Sequence, residues 1–178
     1  MDRENWMELV NRQMLIQQIQ QSSQYAQRYG LQLSEEETQV LLTERSKALQ
    51  AERRVEFGQS ILPQLIYAFC DSAYISQDNY LDTLIRLQEI FFLYKNEMQD
   101  EITDEELIHF MREQFEEVCC GDLEYLESTC LEIFAEAVRA GYRGYQSTQG
   151  CGEFSKIDIV RRWDKEVYLQ VLKELCWR

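Results

Sequence analysis

Apolar residues along this chain recur at three- and four-residue intervals rather than in strict alternation, a period that predicts helices almost throughout. The first runs from about Arg3 to Tyr29. Trp6, Leu9, Val10 and Met14 share one side of it, whereas Leu15, Ile16, Ile19 and Ala26 project to another. Either the helix breaks near Asn11 to Gln13 or its two halves meet different neighbours. Gly30 is placed to end it. Ser34-Glu35-Glu36-Glu37 has the spacing of a capping box and starts a second helix reaching Ala51, with Val40, Leu41, Leu42, Ala48 and Leu49 near its inner side. The nearly continuous apolar run Ile61 to Cys70 reads as a short helix surrounded by others, with Pro63 tolerated in the first turn. A buried strand is the alternative that periodicity alone leaves open.

After a polar loop from Asp71 to Asn79, a fourth helix spans about Asp78 to Met98, with Tyr80, Leu84, Leu87 and Phe91 as its stripe. Thr103-Asp104-Glu105-Glu106 is a second capping box, opening a fifth helix to about Cys119. Its expected inner face is Leu107, Met111, Phe115 and Val118. Gly121 breaks the chain, and Asp122 caps a sixth helix that reaches Gly141. Tyr142 to Gly152 contains three glycines among small polar residues and reads as a linker. Ser155 then caps a last helix with the stripe Val160, Trp163, Val167, Val171 and Leu175. The expected architecture is an all-α compact bundle of six or seven helices. Residues 1–141 make the helical domain, and residues 142–178 supply a flexible linker and a C-terminal helix. That helix packs on its own domain or exchanges within a dimer.

Composition agrees with few interruptions: one proline and seven glycines in 178 residues, with 45% apolar residues to fill a core. No run approaches the ~20 apolar residues of a membrane span. The N-terminus lacks the basic-then-apolar order of a signal peptide, so a cytoplasmic location is expected, with the six cysteines as reduced thiols. The net charge of −14 changes the picture more, because it is segregated. Between Glu97 and Glu136 stand fourteen acids against one base, Arg112, while the rest of the chain is nearly balanced. Direct phosphate binding needs clustered Lys and Arg, which disfavours nucleic acid and anionic membrane as ligands.

Several phrases carry a resemblance: Leu33-Ser34-Glu35-Glu36-Glu37, Val55-Glu56-Phe57-Gly58, Ile61-Leu62-Pro63, Leu65 to Ser72, Gln77-Asp78-Asn79-Tyr80 and Gly121 to Leu126. Together they resemble an uncharacterised bacterial family of unknown function, associated with anaerobic Gram-positive bacteria. The resemblance implies a bacterial cytoplasmic protein and carries over no activity or site residue.

Chemistry-bearing motifs are sparse. Glu106 and His109 have the spacing of a di-iron helix pair, but such sites need the motif twice and His109 is the only histidine. The same single histidine would have to serve any Cys-His or Ser-His catalysis. Cys119, Cys120, Cys130 and Cys151 lack the Cys-x-x-Cys pairing usual for structural zinc. No cofactor, metal ligand or catalytic residue is therefore assigned. Glu127 falls close to the apolar side of the sixth helix and needs water or a partner such as Arg86, Arg139 or Arg161. The best binding candidate is the loop set Asp71, Ser72, Tyr74, Asp78, Asn79 and Tyr80, because polar loop residues on a rigid scaffold often bind ligands. Turn and capping chemistry would use the same residue types.

The leading functional expectation is a non-enzymatic protein-interaction module, an adaptor or homodimer with an acidic face. Two other classes stay open. One is a carboxylate-based enzyme, with or without a metal, and the other is an acidic mimic of nucleic acid that binds basic proteins.

Overall fold

Both capping boxes form. Ser34 Oγ accepts from the Glu37 amide at 3.1 Å while Glu37 Oε2 accepts from the Ser34 amide at 2.7 Å, launching α2 (Glu35–Ala51). Thr103 and Glu106 exchange the equivalent bonds at 3.2 and 3.0 Å and launch α5 (Asp104–Glu117). The computed structural model describes residues 3–56 and 58–140, with side chains from Val10 onward. The linker and C-terminal helix expected in 142–178 lie outside them.

The described residues form an all-α bundle of six helical rods without a strand. α1 (Arg3–Ala26) continues through one 3₁₀ turn, Gln27–Tyr29, and stops at Gly30 with φ 79°, a conformation that favours glycine. α3 (Ile61–Phe69) is a helix and not a strand; Ser60 caps it, and Ile61, Leu62, Leu65, Ile66 and Phe69 are all buried. It packs against α1, α4 (Tyr80–Glu97) and α5, while α2 lies against α4. Aromatic contacts tie the layers: Phe69 meets Phe115 edge-on at 5.5 Å, and Phe110 stacks on Phe134 at 4.0 Å between ring centroids.

Three registers differ from the sequence expectation. α1 runs unbroken through Asn11 to Gln13, which removes the first of the two alternatives; its buried positions are Leu15, Ile19, Ser22, Ser23 and Ala26, and Val10 and Met14 of the other stripe turn to solvent. On α2 the inner side is Thr38, Leu41, Leu42 and Ala48, spaced by three, one and six, which leaves Val40 exposed on the outer flank. Val118 is also exposed, because α5 has already ended when the chain reaches it.

The sixth rod is not uniform. It starts as α6 (Leu123–Tyr125), where Asp122 accepts from the Tyr125 amide at 3.0 Å, widens into a π segment (Leu126–Leu131) and finishes as α7 (Glu132–Arg139). A π turn shifts hydrogen bonding by one residue, which frees carbonyls of the preceding turn. Tyr94 of α4 donates its hydroxyl to a carbonyl within the segment itself, that of Glu127. Burial pushes the Tyr94 phenol up to about 12, with the charges of Glu132, Glu127 and Glu97 adding to it, so the hydroxyl remains a donor at neutral pH.

Candidate functional site

The loop between α3 and α4 approaches α5 through polar side chains. Arg112, the single base of the acidic stretch, donates to Glu116 one turn along α5 and to Asp71 Oδ1 at 2.9 Å across the loop. Its guanidinium carbon lies 5.7 Å from the centre of the Phe69 ring, so the charge is held between two carboxylates and an aromatic face. Ser72 is buried; its hydroxyl donates to Glu116 and accepts from the Tyr74 amide at 3.2 Å. Asn79 closes the loop on itself, with Oδ1 accepting from the Ser76 amide at 2.8 Å and Nδ2 donating to the Tyr74 carbonyl at 3.1 Å.

Tyr74 then seats the loop on the chain that follows α5. Its ring stands edge-on to Phe115 at 6.2 Å, and a Cβ added at Gly121 would fall 2.6 Å from the Tyr74 Cβ. Gly121 also has φ 88°, so both backbone and space require glycine there. A bond with the neighbouring Cys120 raises the proton affinity of the Tyr74 phenol.

Of the six residues expected to bind, Asp71, Ser72, Tyr74 and Asn79 are brought together in this clasp. Asp78 is exposed on the same loop. Tyr80 is 1% exposed and belongs to the core at the start of α4; burial raises its phenol, and its hydroxyl meets no protein partner. A nucleophile must reach a substrate, and the Ser72 oxygen is buried and already bonded on both sides. The chemistry of the clasp is therefore mutual satisfaction: each polar group completes another.

Other singled-out residues are resolved in the same way. Glu127 takes Arg86 of α4 as its partner and sits at the edge of the core. His109 is half-buried on α5. Cys119 and Cys130 are buried thiols with sulfurs 3.6 Å apart; this contact and then burial raise the Cys119 thiol, which opposes thiolate chemistry. Among the described residues no cluster of three or more His, Cys, Asp or Glu side chains could hold a metal ion. Lys95 was not anticipated: 7% exposed at the end of α4, it donates to the Ile102 carbonyl at 2.6 Å and pairs with Asp104 at 2.9 Å. Its sequence position within a helical apolar stripe gave no sign of this.

Two surfaces stand apart from the clasp. None of the fourteen acids between Glu97 and Glu136 is buried, and nine are exposed. On the last rod Glu124, Glu132 and Glu136 line one exposed side, with Ser128 between them, and no ion pair reaches them among the described residues. Elsewhere a groove of about 970 Å³ opens between α1, α2 and the connection after α2, lined by Arg12, Met14, Leu15, Leu49, Arg54 and Val55 among others. Among the described residues no helix is long and apolar enough to cross a membrane.

Residues 18–144 match the model of a family described only as a family of unknown function (DUF6323). No curated protein and no solved structure matches the chain.

Proposed function

The chain belongs to a family of unknown function, DUF6323, and we propose that it is a non-enzymatic protein-interaction module whose acidic face receives a basic partner. The observation that carries this reading is the contrast in how carboxylates are used. Those of the clasp, of Glu127 and of the Lys95 cluster are matched by cations, whereas Glu124, Glu132 and Glu136 face outward on one rod without one among the described residues. Aligned like charges on a rigid helix raise the local potential and favour a partner of opposite sign. They also repel a second copy of the same face, so a basic partner suits this surface better than self-association through it. In this reading Asp71, Ser72, Tyr74 and Asn79 are scaffold.

The setting we propose is the bacterial cytoplasm. Cys119 and Cys130 are buried with their sulfurs 3.6 Å apart and not bonded as a disulfide, which suits a reducing compartment.

Affinity capture with the full chain as bait, compared with the variant Glu124→Gln, Glu132→Gln, Glu136→Gln, tests the function. A discrete partner should bind the native chain, elute as salt rises and be absent from the variant, because screening and neutralisation act on the same term. The proposal fails if both baits recover the same proteins, or if the native chain stays monomeric and recovers none.

A further inference from the structure

The family match spans residues 18–144 and leaves two flanking pieces outside it, the first four turns of α1 and the segment beyond 144. Each carries an apolar stripe. α1 has 24 residues, roughly 36 Å of helix, but the α3 it packs on has only nine, so its first half overhangs. That is why Met14 is 54% exposed and Val10 is exposed one turn before it, although both belong to an apolar stripe in the sequence. Beneath the overhang lies the groove, where Met14, Leu15, Leu42 and Leu49 meet Val55, itself 67% exposed. Two of the nine large apolar side chains left exposed in the described structure, Met14 and Val55, thus line this one groove.

The position where the described chain stops points to the same groove. Arg139, at the end of α7, pairs with Glu97 at the end of α4. The preceding Asn96 accepts from Arg54 at 2.8 Å, and Arg54 lines the groove. The fourteen residues 141–154 can span up to about 46 Å, ample to pass from Ala140 around Arg54. The segment that follows repeats Val160, Trp163, Val167, Val171 and Leu175 at helical spacing, which makes an apolar stripe that requires a cover. As a helix it places Asp164 within that stripe, between Val171 and Leu175, and Arg162 and Lys165 on the far side. In the groove Arg12 donates only to the Gln39 amide oxygen, at 2.5 Å, and meets no carboxylate among the described residues.

We propose that residues 155–178 form an amphipathic helix that docks in this groove of its own chain. Its apolar stripe covers Met14, Leu15, Leu49 and Val55, and Asp164 meets Arg12. The inference does not rest on the acidic-face reading, since the groove and that face use different residues.

Hydrogen exchange of the full chain, followed by mass spectrometry, tests it, with Met14→Glu and Val167→Glu as variants. In the native chain the amides of 155–178 should exchange at least about tenfold slower than an unstructured chain. Either variant should remove that protection and raise exchange in residues 42–56. Protection in α3 and α4 should persist, which shows that the bundle stays folded; Val167→Glu lies outside the bundle and secures this control. Three results would overturn the proposal: unstructured-chain rates at 155–178 in the native protein, protection that survives both variants, or protection that grows with protein concentration. The last would assign the groove to a second copy.

Discussion

Asp71, Arg112 and Glu116 form one charged region; Glu124, Glu132 and Glu136 form another. In the first, one guanidinium sits between two carboxylates and over an aromatic ring, and Ser72 donates to the same Glu116 Oε1 that Arg112 engages. In the second, three carboxylates follow one exposed side of a helix without a cation among the described residues. Polar residue types alone do not distinguish them. What separates them is whether the valences are already satisfied within the fold: the satisfied set positions a loop, and the unsatisfied set remains available for contact.

The comparison can be broken most forcefully at Gly121. Gly121→Ala forces a side chain into φ 88° and against Tyr74, so it should unseat the loop and cost about 3 kcal/mol. Chemical denaturation measures this; a loss under about 0.5 kcal/mol would mean the loop is not held as described. Arg112→Leu keeps the contact with Phe69 but leaves Asp71 and Glu116 facing each other without their cation. The expected loss is about 2 kcal/mol, reduced from that of a fully buried pair because Asp71 is half exposed.

Tyr94→Phe removes the hydroxyl that α4 donates to the Glu127 carbonyl in the π segment and should cost about 1–2 kcal/mol by thermal or chemical unfolding. The triple glutamine variant of the acidic face should behave in the opposite sense. It removes like charges and strands no cation among the described residues, so stability should be unchanged or rise by about 0.5 kcal/mol. A loss of 1 kcal/mol or more would show that these acids are structural after all.

The smallest effect concerns Asp100. Hydrogen bonding to Arg54, then the charges of Arg54 and Lys95, hold its carboxyl below the ordinary 3.8. The folded chain therefore prefers the ionised form, and the stabilisation is complete above that value and lost as pH falls through the lowered one. Asp100→Asn tolerates the left-handed backbone at this position and should cost no more than about 0.5 kcal/mol at pH 7, since the carboxylate is largely exposed. The gap between native and variant should close between about pH 5 and pH 2 in denaturation curves.

Much of the fold was legible because its signals are local. Ser34 with Glu37 and Thr103 with Glu106 are three residues apart, and Gly30 ends α1 where its backbone must turn left-handed. The π segment was not legible, since Tyr94 supports it from 33 residues away. The clasp was half legible. Asp71, Ser72 and Asn79 announce a loop, but their use is fixed by Arg112 and Glu116, more than forty residues distant. A single base among fourteen acids was the available hint. Val40 shows the limit of pattern reading on α2, where apolar residues are consecutive and only packing decides which of them turns inward.

The central claim, that contact is made by the unsatisfied carboxylates and not by the clasp, is tested most directly by comparing captured partners across three baits. These are the native chain, Ser72→Ala, and the triple variant Glu124→Gln, Glu132→Gln, Glu136→Gln. Native and Ser72→Ala baits should retain the same partner and the triple variant should lose it. A partner lost with Ser72→Ala and kept by the triple variant would contradict the claim.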